Sequence, residues 1–140
     1  MASVRQQINI AASPRVVWRQ LTTAEGLCAW WADKARLEAQ QGGRIVLESE
    51  GDDGETWEER GIFLEHRPTR KLEIKWDSGS QAPTAGSRVR FQVARDGDET
   101  RVAVVHTGAF LDDAEVMERY DKEWRSALKA LRGSLEGVEE

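Results

Sequence analysis

The chain has 140 residues, 39% of them hydrophobic and 32% charged, which is the size and balance of one globular domain. Residues 1–140 are therefore read as a single domain, able to bury roughly two-thirds of its unfolded surface without disulfides or a structural metal. With 20 basic residues against 25 acidic ones, the net charge of −5 disfavours nucleic acid as a partner, and the lone Cys28 excludes a disulfide framework or a multi-cysteine metal site.

The first ten residues hold no apolar run of signal-peptide length, and no later stretch approaches a membrane span, so a cytoplasmic chain without membrane contact is expected. Val4, Gln6, Ile8, Ile10 and Ala12 alternate with Arg5, Gln7, Asn9 and Ala11, the pattern of a strand with one buried face. Ser13-Pro14 ends it and opens a helix, with serine as the cap and proline at the first helical position. Val17, Trp18 and Leu21 share one side of that helix, and Trp18 reads as core. Thr22 followed by Glu25 marks a second short helix carrying Leu27, Trp30 and Trp31. Cys28 within it has no cationic neighbour and reads as a buried thiol rather than a nucleophile.

The middle of the chain reads as antiparallel strands. Residues 36–40 and 44–49 flank Gly42-Gly43, a hairpin turn signal. After the turn at residues 51–54 a strand runs from Trp57 to His66, stopped by Pro68, and His66 is expected at the surface. Leu72, Ile74 and Trp76 alternate along the next strand, and residues 77–86 form a longer loop. Val89, Phe91 and Val93 then pair across Asp96-Gly97 with Val102, Val104 and His106, whose ring should share their inward face. Acidic residues concentrate at Glu48, Glu50, Asp52, Asp53, Glu55, Glu58 and Glu59. Their order does not fit a calcium loop, and they read as a solvated hairpin tip.

The last segment has the strongest periodicity. Val116, Tyr120, Trp124, Leu128, Leu131 and Leu135 recur at three- and four-residue steps, giving one apolar stripe over some six turns. Asp112 with Glu115 supplies its start signal, and Gly133 suggests fraying of the last turn. So long an amphipathic helix must lie across the sheet.

This order of elements is the α+β helix-grip (START-like) arrangement: a seven-stranded curved antiparallel sheet, two short helices and a long C-terminal helix packed across it. The segment IAASPRVVWRQLTTAEGLCAWW resembles the opening of the activator of heat-shock-protein-ninety ATPase-like (Aha-type) family, within the START and birch-pollen-allergen-like (SRPBCC) superfamily. The GGR at 42–44, Gly61 before the strand ending at Pro68, the His106-Thr107-Gly108 element and EWRSALKALRGSLE fit the same pattern. Glu123 departs from it, standing where many members have glycine before the tryptophan. The resemblance spans about residues 4–136 and implies a space between sheet and helix.

Six tryptophans (Trp18, Trp30, Trp31, Trp57, Trp76, Trp124) outnumber Phe and Tyr together. Indoles suit the wall of a pocket for flat or apolar molecules, yet Trp31, Trp76 and Trp124 fit plain core equally well. His106 reads first as a core histidine holding the turn before the last helix, and second as a ligand contact or acid–base group. Two isolated histidines complete no metal site, and neither a nucleophile elbow nor a phosphate or dinucleotide loop is present, so no cofactor or metal is expected. Arg88, Arg90, Arg95 and Arg101 read as an ordinary solvated strand face. Glu38, Glu59, Glu65 and Asp121 are carboxylates whose direction the pattern leaves open.

The function expected is binding of a hydrophobic small molecule without catalysis. Trp31, Trp76, Phe91, Val104, Tyr120 and Trp124 would supply the walls, with His106 and the Tyr120 hydroxyl as polar anchors. The alternatives are a protein-interaction module acting on a chaperone or in a stress response, as the family name implies, and a cyclase- or hydrolase-like enzyme.

Overall fold

A computed structural model describes residues 2–51, 53–80 and 82–136. Strand β1, Ser3–Ile10, leads through α1, Pro14–Thr22, and α2, Ala24–Cys28, to β2, Lys34–Leu37, and β3, Arg44–Glu50. Then follow β4, Thr56–Arg67, β5, Lys71–Trp76, β6, Arg88–Asp96, and β7, Glu99–Thr107. A 3-10 turn at Ala109–Asp112 precedes α3, Ala114–Glu136. The seven strands form one sheet in the order β1-β7-β6-β5-β4-β3-β2, every neighbouring pair antiparallel. This is the helix-grip fold: the curved sheet wraps α3, and the two short helices close one side.

Alternation explains the core. Ile45 and Leu47 from β3, Leu72, Ile74 and Trp76 from β5, Val89 and Phe91 from β6, and Val102 and Val104 from β7 all face inward and are buried. Trp124, Leu128 and Leu131 of α3 meet them, as do Val17, Trp18 and Leu21 of α1. Polar contacts fix the helices in place: Gln6 Nε2 donates to Asp121 Oδ1 at 2.7 Å and Gln20 Nε2 to Ser134 Oγ at 3.0 Å. Gly61 lies opposite Trp76 across β4–β5, and a Cβ there would sit 2.8 Å from Trp76 Cε3 and 2.5 Å from the Lys75 carbonyl oxygen. The missing side chain lets the indole lie down against the sheet.

Several expectations are corrected. The cap of α2 is Thr23, whose hydroxyl accepts from Gly26 N–H at 3.0 Å, while Thr22 Oγ1 donates back to the Trp18 carbonyl within α1. Asp112 closes the 3-10 turn, and Asp113 caps α3 by accepting from Glu115 and Val116 N–H at 2.9 and 3.2 Å. β2 begins two residues before residue 36, and α3 continues through Gly133 to Glu136. Cys28 is exposed because Gly26 and Leu27 take the buried side of α2.

His66 is half-buried, its ring 5.5 Å from Trp18 and 6.5 Å from Phe63. The cause is a β-bulge: Phe63 pairs with Ile74 but Glu65 with Glu73, so Leu64 is an extra residue. The bulge turns His66 to the same face as Phe63, which strict alternation forbids. Asp52, in the acidic tip, lies outside the described residues.

Candidate functional site

Under the middle of α3, at the end of the sheet where β3, β4 and β5 meet the 77–86 loop, lies a cavity of about 230 Å³. Each element contributes through its own periodicity. On β4, Trp57 and Glu59 continue inward the row to which Gly61 and Phe63 belong, and Ser49 extends that of Ile45 and Leu47 on β3. On α3, Tyr120, Glu123, Trp124 and Ala127 lie three and four residues apart, on one side of the helix. Trp30 and Trp31 enter from the turn after α2, Trp76 from the end of β5, Thr84 from the following loop, Val89 from β6 and His106 from β7.

The aromatic wall is tilted and interlocked. Trp31 stacks on Trp30 at 5.3 Å and meets Trp76 at 6.2 Å and 73° and Trp124 at 5.5 Å and 59°. Trp30 is anchored through its Nε1–H, which donates to the Gln20 carbonyl at 3.1 Å. Trp57, 39% exposed, stands at the rim. Trp76 is fully buried, and its Nε1–H has no hydrogen-bond partner among the described residues. A buried N–H without an acceptor costs about 1–3 kcal/mol.

His106 is held in a chain of hydrogen bonds whose polarity can be derived. Trp124 Nε1–H can only donate, and it reaches His106 Nδ1 at 3.0 Å, so Nδ1 carries no proton. In the neutral ring the proton is then on Nε2, which lies 2.9 Å from Ser87 Oγ, and the Ser87 hydroxyl donates onward to the Thr84 carbonyl at 2.6 Å. Burial pushes the imidazole down to about 4, keeping it neutral at physiological pH. Both ring nitrogens are thus committed inside the protein. His106 lines the cavity with both ring nitrogens already hydrogen-bonded to protein groups.

The acidic groups at the site are Glu59 and Glu123. Burial raises the Glu59 carboxyl above its ordinary range, opposed by the hydrogen bond from Thr84 Oγ1. Tyr120 is pushed up to about 12, chiefly by burial, with Glu123 and Glu59 adding to the rise and Arg119 opposing it.

The structure brings Trp31, Trp76, His106, Tyr120 and Trp124 together around the cavity, but not Phe91 and Val104. Those two are buried cross-strand partners behind the wall, with the Phe91 ring edge-on to Trp31 and Trp124. Of the carboxylates left open by the sequence, Glu59 enters the cavity. Glu65 instead pairs with Arg67 and Lys71, Asp121 accepts from Gln6 and Arg125, and Glu38 stays outside the lining. Sequence reasoning missed Glu59 as a definite wall residue, and Trp30, Ser49, Trp57, Thr84, Val89, Glu123 and Ala127 altogether. Counting back by twos from Phe63 would have found Glu59, and the helical spacing from Tyr120 would have found Glu123 and Ala127. Thr84 has no such signal. A broader hollow of about 620 Å³ along the outer side of α3 is walled largely by exposed charged side chains and encloses little.

Among the described residues no group of three or more His, Cys, Asp or Glu side chains is placed to hold a metal, and no helix is long and apolar enough to cross a membrane.

Comparison with known proteins gives a consistent result. Residues 11–136 match the family model of Activator of Hsp90 ATPase homolog 1-like protein. No curated protein sequence matches the chain. Among solved structures, protein MLL2253 from Mesorhizobium loti superposes with a TM-score of 0.81 at 20% identity, covering 99% of this chain and 100% of that one. Protein NE0264 from Nitrosomonas europaea gives 0.82 at 17% identity, covering 96% and 94%. The Aha1 dimer from Colwellia psychrerythraea gives 0.77 at 21% identity, covering 97% of each chain. At these identities the likeness is one of fold.

Proposed function

The chain belongs to the Activator of Hsp90 ATPase homolog 1-like family, and on that premise we propose that it is a binding protein for a compact, largely apolar small molecule held between the sheet and α3. The observation that carries this reading is the cavity of about 230 Å³ walled by Trp31, Trp76 and Trp124. The space is partly open, with the exposed Trp57 among its lining residues, so a small molecule can reach it from solvent. The volume lies below the roughly 300–1,000 Å³ usual for ligand sites, which favours a molecule of one or two rings over a long-chain lipid. No catalytic step is assigned to His106, because neither nitrogen is free to take a proton from a bound molecule. The exposed Cys28 thiol suits a reducing compartment such as the cytoplasm.

A second reading, modulation of a chaperone partner, draws on the family description and on Trp57, an indole exposed at the rim.

The test is a titration with tert-butylbenzene followed by amide chemical shifts and tryptophan emission. Saturable changes centred on Trp31, Trp76, Tyr120 and Trp124, abolished by filling the cavity with Ala127→Phe, are expected. Shifts confined to the outer side of the sheet or of α3, or no binding at all, would overturn the reading.

A further inference from the structure

Resting on the reading of this cavity as a small-molecule site, we propose that its ligand is an organic cation, a quaternary ammonium on a compact apolar body, seated against the indole faces with Glu59 and Glu123 as counter-charges. Apolar walls alone would accept any hydrophobic molecule, but the charges here are one-sided. Two carboxyl groups line the space, and no lysine or arginine does so among the described residues. The remaining titratable groups facing it are Tyr120 from α3 and His106 from β7. His106 brings no positive charge, because its Nδ1 is filled by the Trp124 N–H and burial keeps the ring neutral.

The aromatic geometry fits the same chemistry. The rings of Trp31, Trp76 and Trp124 are inclined to one another rather than stacked, so they wall the cavity from different directions. The negative π faces of indoles attract a cation most strongly where water is excluded. Arg119 shows the preference at the edge of the site, its guanidinium carbon lying 5.8 Å from the centre of the Tyr120 ring.

The two carboxyl groups come from different elements, Glu59 half-buried on β4 and Glu123 exposed on α3. Among the described residues neither forms an ion pair, although six other pairs are present. Glu59, half-buried and accepting a hydrogen bond from the Thr84 hydroxyl, has its carboxyl raised above the ordinary range by the loss of solvent around it. A cation entering the cavity supplies the missing counter-charge, so the site is arranged for a positive guest.

The experiment compares phenyltrimethylammonium with tert-butylbenzene, which have the same shape and differ by one charge. Affinities are measured at pH 7 by quenching of tryptophan emission and by calorimetry. The cation is expected to bind at least about tenfold more tightly than its neutral isostere. Glu59→Gln and Glu123→Gln should each weaken the cation by about three- to tenfold while leaving tert-butylbenzene within about twofold, which also reports that the variants remain folded. Equal affinity for the two probes, or cation binding unmoved by both glutamine variants, would overturn the proposal while leaving the cavity as a neutral hydrophobic site. If neither probe binds, the small-molecule reading falls as well.

Discussion

Replacing Trp124 by phenylalanine isolates one hydrogen bond in the centre of the molecule. The change keeps an aromatic ring against Phe91 and Trp31 but deletes the N–H that His106 Nδ1 accepts at 3.0 Å. His106 is 1% exposed, so solvent does not replace the lost donor. An orphaned buried acceptor costs about 1–3 kcal/mol, and the space left by the smaller ring adds about 1 kcal/mol. The expected loss is therefore about 2–4 kcal/mol, a downward shift of about 1–2 M in the urea midpoint for a domain of this size. In a His106→Leu background the acceptor is already gone, and Trp124 itself holds the orphaned donor. There Trp124→Phe removes that donor and should cost no more than about 1 kcal/mol. The double-mutant cycle, followed by far-ultraviolet circular dichroism so that loss of an indole does not disturb the signal, should give a coupling of about 1–3 kcal/mol. A cost equal in both backgrounds to within about 0.5 kcal/mol would refute the bond and the tautomer derived from it.

Two further predictions concern pH. The unfolded His106 takes up a proton near 6.5 and the folded one near about 4, so between those values the unfolded chain binds more protons. Its contribution to stability is complete above the window and lost as pH falls through it, by about 3 kcal/mol in all. The urea midpoint of His106→Leu should lack this acid-side slope, and an unchanged slope between pH 4 and 6.5 would reject the burial argument. Glu59 has the opposite sign: its raised folded value means that stability is lost as pH rises through it. Glu59→Gln should therefore match the native protein near pH 3.5 and equal or exceed it in thermal stability at pH 7, whereas a lower melting temperature at pH 7 would show the carboxylate to be a stabilising group.

The division between sequence and tertiary structure follows from the range of the interactions involved. Ser13-Pro14, the alternation of Leu72, Ile74 and Trp76, and the stripe from Val116 to Leu135 are local patterns, and a period of two or 3.6 residues fixes which side of an element is apolar whatever it packs against. Seven alternating or turn-flanked runs, two short helices and one long stripe were enough to define the architecture, and the inward rows brought Trp31, Trp76, Tyr120 and Trp124 within reach of one another. Phe91 and Val104 share that inward face yet stand behind the cavity, because periodicity gives a direction but not a depth. The bulge at Leu64 moved His66 inward, since one extra residue reverses the facing of every side chain that follows it on the strand relative to strict alternation. Glu59 reads as one more charge in an acidic tip; the alternation from Phe63 turns it inward, and the packing of Thr84 from a loop 25 residues away leaves it half-buried. The protonation of His106 was the least legible feature, because its donor on α3 and its acceptor before β6 meet only once the helix lies across the sheet.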